Sequence, residues 1–498
     1  MLKLSSYAAI QDYLSCYGIV CAIIYSELTY QYWEGPRLTD FITMGILANV
    51  FPVADVRIAL AEAGKRSIRE RDFPNHLVVY FVIMMTFYMR SSYDAIIEAI
   101  LLGLEFITGV SSGIKITSKT SIIHGRERIG WEPMANLFDS HVKPIATKET
   151  KGAWYRGLRM VAMDGTTFEV ADSEDNQVYF PRSAGKSASA FPRLDTVFLV
   201  ESGTHVVFGL SATTSKEHAL SMIKLKKQDG ELTLAKKLLP KLKRGMLLLC
   251  DRLYPAHDLI QSVLATGAHL LWRIKSNIRL DVEKQLPDGS FLSRLHSGSD
   301  RHRKKGVVVR VIDYKLKGVK GSQDNYRIIT SLLNHKEAPA HELAALYHER
   351  WEIETTNSEV KVHLKPSRSP LRSKSFDMVI QELYGIMLGH YIVRKLMHQA
   401  ALKADEDPDR ISFSHAVQVI TTNIPEYGDI SPQKTKQRVT KAILRKRVSS
   451  SRGRQNPRQV RRWRNDFPTK KAAKDKKITK AKQARRLDFK KNIKIVVP

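Results

Sequence analysis

The chain has 498 residues, too many for one core, and its 43% hydrophobic content supports a globular body of two to four domains. Its net charge of +30 is strongly segregated. Ser431 to Pro498 carries 25 Lys or Arg against 3 Asp, which leaves only about +8 for everything before it. A segregated excess predicts a polyanionic partner. The tail lacks the apolar stripe of a membrane-lying helix, so nucleic acid is favoured over an anionic membrane surface. Three cysteines, Cys16, Cys21 and Cys250, give neither a disulfide framework nor zinc spacing and fit a reducing cytosol. The longest apolar run, Leu77 to Met89, is too short to span a bilayer, and no signal peptide is read. The expectation is a cytoplasmic, nucleoid-associated protein without membrane contact.

Residues 1–140 are expected to form a helical N-terminal domain. Leu38 to Asn49 is periodic and stops at Phe51-Pro52; a second helix covers about residues 54–63 and ends at Gly64. Pro74 opens the long apolar run, read as a buried bundle helix, and Ser91/Ser92 cap the segment DAIIEAILLGL. A compact helical domain ahead of a larger body suits a reader of DNA ends, although no recognition-helix pattern stands out.

From Arg156 the pattern turns to strands. LRMVAMD, 158–164, alternates and ends on Asp164; DTVFLVESGTHVVFGL, 195–210, reads as a hairpin around Ser202-Gly203. Helices are expected over 216–226 and 231–242. MLLLC, 246–250, reads as a strand buried on both faces that ends on Asp251; a helix over 256–266 then leads to the strand HLLWRIK. This order, three strands, helix, strand, helix, strand, implies a mixed sheet with flanking helices and is that of the ribonuclease H-like fold. The core is therefore placed at 150–275 and 338–425. Residues 276–337 form a β-rich insertion containing GVVVRVIDYKLKG and NYRIITSLL, and residues 431–498 form a basic tail without structure of its own.

Asp164 and Asp251 each stand where a strand is expected to end, the position at which ligands gather in open α/β sheets. A carboxylate pair there can share a divalent cation, with Glu354 from a later helix as the third ligand. All-oxygen donors suit Mg²⁺ or Mn²⁺ rather than zinc. In YHERWEIETTNSEVK, at about 100° per residue, Tyr347, Arg350, Glu354 and Lys361 fall within roughly 60° of each other, whereas Glu352 and Glu359 point elsewhere. Arg350 and Glu354 alone would make an ordinary i,i+4 ion pair, and a single strand-end Asp is usually a turn former. Neither bland reading accounts for Tyr347 and Lys361.

The pattern Tyr347-x2-Arg350-x3-Glu354-x6-Lys361 resembles the signature helix of the DDE transposases of the insertion-sequence-4 family. Asp164 in MDGTTFE and Asp251 in LLLCDRLYPAHDL, followed by Arg252, resemble the first and second family aspartates, and the resemblance spans roughly residues 30–400. It implies that Asp164, Asp251 and Glu354 hold two Mg²⁺ ions, with Mn²⁺ able to substitute. It further implies cleavage at the element's terminal inverted repeats, a hairpin intermediate, joining to target DNA, and a homodimer on double-stranded DNA. Tyr347, Arg350, Lys361 and Arg252 would then contact DNA. Trp351 and Trp272 suit either stacking on an extruded base or packing. Two other readings remain open here: a non-catalytic or decayed DNA-binding relative, and a structure-specific nuclease on the same fold.

Overall fold

The computed structural model describes residues 39–67, 73–89, 91–108, 119–182, 191–224, 230–275, 278, 280–297, 300, 306–316, 325–364, 369–422, 432–448 and 493–495. Cys16, Cys21 and most of the basic tail lie outside them. The chain groups into two units, residues 1–241 with 352–448, and residues 242–351 with 449–498.

The first unit begins with α1 (Thr39–Val50), α2 (Val53–Glu62), α3 (Asn75–Phe87), α4 (Tyr93–Thr108), α5 (Lys119–Ile129) and α6 (Glu132–His141). Ser92 caps α4 by accepting the Ala95 N–H at 3.2 Å. The apolar run forms α3, buried from Leu77 to Thr86. It lies against α13 (Phe376–Lys403), where Gly385 and Gly389 let the backbones approach: a Cβ at Gly385 would meet the Val82 carbonyl at 2.9 Å. Arg126 of α5 ties the helices to α13, its guanidinium donating to Gln381 Oε1 at 2.8 Å, Tyr93 Oη at 2.8 Å and Ser373 Oγ at 3.0 Å.

The short strand β1 (Trp154–Tyr155) and then β2 (Leu158–Glu169), β3 (Arg193–Glu201) and β4 (Val206–Ala212) make an antiparallel meander in the first unit, with α7 (Glu174–Tyr179) between β2 and β3. Asp164 does not end a strand as expected. β2 runs on to Glu169, because Thr166 and Phe168 alternate inward with Thr167 and Glu169 and continue the pleat. Asp164 thus lies mid-strand, opposite Phe198. Helices α8 (Lys216–Lys224) and α9 (Glu231–Leu238) follow.

In the second unit, β5 (Met246–Cys250) and β6 (His269–Arg273) are parallel and joined through α10 (His257–Ala265). The segment after β6 is strand-rich: β7 (Lys284–Gln285), β8 (Phe291–Leu295), β9 (Val307–Leu316) and β10 (Tyr326–Thr330). Its last strand pairs antiparallel with β6, Ile329 opposite Trp272, so it extends the core sheet rather than forming a separate module. The resulting fold is mixed α/β with the element order of a ribonuclease H-like core behind a helical N-terminal region.

The later helical stretch departs from one regular α-helix. It comprises α11 (Ala340–Tyr347), a 3₁₀ turn (His348–Arg350), α12 (Trp351–Ser358) and a π-helical turn (Glu359–Leu364). A 3₁₀ turn advances more than 100° per residue and a π turn less, so the uniform wheel does not describe Tyr347 to Lys361. Past α14 (Phe413–Thr422), the basic tail also starts later than expected. Residues 432–443 form α15, with Val439, Ala442 and Ile443 buried; this i, i+3, i+4 apolar stripe is masked in composition by the surrounding lysines and arginines. The strand β11 (Ile493–Ile495) pairs with β9. Among the described residues no helix is long and apolar enough to cross a membrane.

Candidate active site

In the second unit, β5 delivers Asp251 just past its last residue. The carboxylate is half-buried, and its Oδ1 accepts the Leu253 N–H at 2.8 Å, an Asx turn that orients the group. Arg252 beside it is exposed. Because Cys250 pairs in register with Trp272, Arg273 follows on β6 where Asp251 follows on β5. The Arg273 guanidinium lies 4.7 Å from the Tyr326 ring centroid.

Tyr347, from α11, is 5% exposed. Burial raises its hydroxyl pKa, Arg350 and Arg273 oppose that, and the Asp251 charge adds to the rise, so these four residues share one electrostatic environment. Its ring packs, and its hydroxyl hydrogen-bonds to Arg350. Burial together with Arg273 and Arg350 pushes the neighbouring His348 down to about 3, which keeps it neutral opposite the Tyr314 hydroxyl at 3.2 Å. Trp272 is 0% exposed and pairs opposite Ile329 within the sheet, so its ring packs in the core, and reaching an extruded base requires opening the sheet. Trp351, by contrast, is 49% exposed.

In the first unit, Asp164 is half-buried at the middle of β2. The Gly165 N–H donates both to Asp164 Oδ1 at 3.1 Å and to Glu231 Oε1 at 2.9 Å, so a second carboxylate, from the first turn of α9, sits beside the Asp164 backbone. The sequence offered no signal for Glu231. Glu354 is half-buried on α12, and Lys361, in the π turn, places Nζ 5.8 Å from the ring centroid of Phe168, a residue on the same face of β2 as Asp164. Each of the three carboxylates keeps some access to solvent and offers only hard oxygen, a donor set that fits Mg²⁺ or Mn²⁺.

The residues set aside because they pointed away from the signature face turn out to be buried. Glu352 is 4% and Glu359 3% exposed. Glu359 accepts Arg394 Nε at 2.9 Å and a second bond from Arg394 Nη2, and lies 3.1 Å from His390 Nε2 and 3.3 Å from His205 Nδ1. Burial alone would raise the Glu359 carboxyl; Arg394 and the histidine hydrogen bonds outweigh it and hold it well below the usual range. This network fixes the inner side of the helical stretch that carries Glu354 and Lys361.

The second unit thus offers Asp251 with Arg273 and Arg350, and the first unit offers Asp164, Glu354 and Lys361: hard-oxygen donors and cations of the kind used by metal-dependent enzymes that act on nucleic-acid phosphodiesters. Residues 41–139 match the family described as insertion element 4 transposase N-terminal, and residues 155–392 match the transposase DDE domain, together about two-thirds of the chain. The transposase InsG of insertion sequence element IS4 from Escherichia coli (strain K12) is 24% identical over 378 residues, covering 75% of this chain and 81% of that protein. InsZ of the same organism is 21% identical over 230 residues, 46% of this chain and 70% of that relative. A piggyBac transposase synaptic complex with hairpin DNA aligns at a TM-score of 0.39 and 10% identity, covering 80% of this chain and 85% of that one. The chain belongs to the DDE transposases of the insertion-sequence-4 type, enzymes that act on DNA with divalent metal.

Proposed function

We propose that this transposase cuts DNA at the terminal inverted repeats of its own insertion sequence and joins the freed ends to target DNA, with Asp164, Asp251 and Glu354 holding two Mg²⁺ ions, or Mn²⁺ in their place. The match of residues 155–392 to the DDE domain carries this reading, since it spans all three carboxylates and the Tyr347–Lys361 segment. When bound, such ions supply a more acidic water or hydroxyl and neutralise charge on the leaving oxygen.

The rest falls to the chain itself. Asp251 is pre-oriented by its Asx turn, and Asp164 by its place in the middle of β2, paired opposite Phe198 of β3. Arg350, Arg252 and Lys361 bind phosphates, Arg273 joins them as a cation registered beside Asp251, and exposed Trp351 stacks on an unpaired base. Tyr347 acts by holding Arg350 rather than by touching DNA. Cutting two ends together favours a homodimer on DNA, in the nucleoid, with the helical N-terminal region reading the ends.

The test is a Mg²⁺-dependent assay on DNA bearing the repeats that flank the coding region. Asp164→Asn, Asp251→Asn and Glu354→Gln should each lower cleavage by at least about 10³-fold while leaving DNA binding in place. Cleavage that survives Asp251→Asn sinks the assignment. Products that are nicked but never joined would instead indicate a nuclease.

A further inference from the structure

Hairpin tips normally face water. The tip between β3 and β4 does not: Ser202, Thr204 and His205 are each 1% exposed. Gly203 has φ +81°, and a Cβ there would strike the Ala153 nitrogen at 2.8 Å, so only glycine permits this approach; its N–H donates to Glu352 Oε2. His205 follows at φ +58°, a conformation uncommon for histidine. The turn is held in this shape while it drives one imidazole into the interior.

The Nε2 of that ring lies 2.9 Å from Asp409 Oδ1 and 3.8 Å from Glu352 Oε2, and the three donor atoms all fall within 4.8 Å of one another. The opposite ring nitrogen, Nδ1, faces Glu359 Oε1 at 3.3 Å, and Glu359 is fixed in turn by Arg394 and His390. A histidine whose far nitrogen rests on an anchored carboxylate, with its near nitrogen aimed between two more carboxylates, has the outer support typical of metal-ligating histidines.

We propose that His205 Nε2, Glu352 and Asp409 form a structural site for one first-row divalent cation, best suited to zinc, distinct from the Asp164, Asp251 and Glu354 trio. Metal–ligand bonds of about 2.0–2.1 Å in a tetrahedral arrangement place donor atoms about 3.3–3.4 Å apart, between the two separations seen here. Loading would open the His205–Asp409 contact by about half an ångström and draw Glu352 in by a similar amount. One imidazole with two carboxylates also accepts manganese, whereas magnesium retains its water shell and prefers oxygen alone. Glu352 and Glu354 are two residues apart on α12, so about 200° of helix separates them. The cation would pin the inner side of the helix whose other side carries a carboxylate of the transposase centre. The competing occupant of the gap is a proton on His205.

The experiment uses the full chain carrying Asp164→Asn and Asp251→Asn, so that the transposase centre contributes no retained ion. The protein is loaded with zinc or manganese, passed through gel filtration, and its metal content and unfolding temperature are measured against a chelator-treated sample. One cation retained per chain with a rise in unfolding temperature is expected. Retention is lost in Asp409→Asn and His205→Gln, and Glu359→Gln weakens affinity about 10–100-fold. Cobalt loading of the parent chain covers the case in which those variants fail to fold: visible absorption from a site of low coordination number with a nitrogen ligand supports the assignment. No retained ion, no stabilisation and no such spectrum overturn it and leave the proton as occupant. DNA cleavage by the unaltered chain is scored separately, so failure here does not bear on the transposase reading.

Discussion

The buried pair Glu359–Arg394 gives the sharpest energetic prediction. Glu359→Gln keeps the shape and removes the charge. Arg394 is 2% exposed and would be left facing a neutral amide whose NH₂ group cannot accept from it, while His390 and His205 also lose their anionic acceptor. Breaking a buried ion pair from one side costs about 3–5 kcal/mol. The first unit comprises roughly 340 residues, which sets its unfolding entropy near about 0.7 kcal/mol/K and converts the loss to a fall of about 4–7 °C in unfolding temperature. Arg394→Met should cost a comparable amount, because it strands Glu359. The double variant should lose no more than either single, giving a coupling of about 3 kcal/mol in a double-mutant cycle. Scanning calorimetry at pH 7 on chelator-treated protein measures all four species. A Glu359→Gln shift below about 1 °C, or losses that simply add, would show that the pair is not the clamp described here.

His205 gives a pH signature in metal-free protein. Burial and Arg394 push it down, but the Asp409 charge and its hydrogen bonds to Asp409 and Glu359 outweigh them and hold it at about 9. Its stabilisation is therefore complete below pH 6.5 and lost as pH rises through 9, up to about 3 kcal/mol, and His205→Gln should flatten thermal stability over that window. Trp272→Phe should cost about 1–3 kcal/mol in urea unfolding, while Trp351→Ala should leave stability within about 0.5 kcal/mol and reduce hairpin or joined products on a gel; the reverse pattern would return Trp272 to the DNA. Tyr347→Phe should lower cleavage more than DNA affinity, since its hydroxyl positions Arg350; a pure affinity loss in a binding titration would argue for direct phosphate contact. Truncation after Val448 spares α15 and should flatten the salt dependence of DNA binding; an unchanged slope would assign the tail another task.

What the sequence made legible was whatever rests on short-range periodicity. α3 follows from an unbroken apolar run behind a proline, β5 from five apolar residues in a row, and the β3–β4 hairpin from two strand-like runs around Ser202-Gly203. The errors share a cause. LRMVAMD looked finished at Asp164 because aspartate and glycine usually stop strands, yet the alternation resumes at Thr166 and the neighbouring strand β3 keeps pairing through Glu169. The regular wheel over Tyr347–Lys361 failed because helical pitch responds to tertiary contacts: the π turn begins at Glu359, the residue seized by Arg394 and two histidines.

The same wheel had separated Glu352 and Glu359 from Glu354, and in direction that separation was informative. Acidic residues off a functional face ordinarily point to water, and no local rule distinguishes that outcome from burial. Burial requires polar partners from elsewhere, and here they come from a hairpin tip at His205 and from α13 at Arg394 and His390, segments that carry no shared motif with the helix. Arg273 beside Asp251 was hidden for a similar reason, since its position depends on the parallel register of β5 with β6. The carboxylates proposed to work on DNA are legible because each stands in a short motif of its own. The charges that hold their helix in place are constrained only by one another, after the chain has folded.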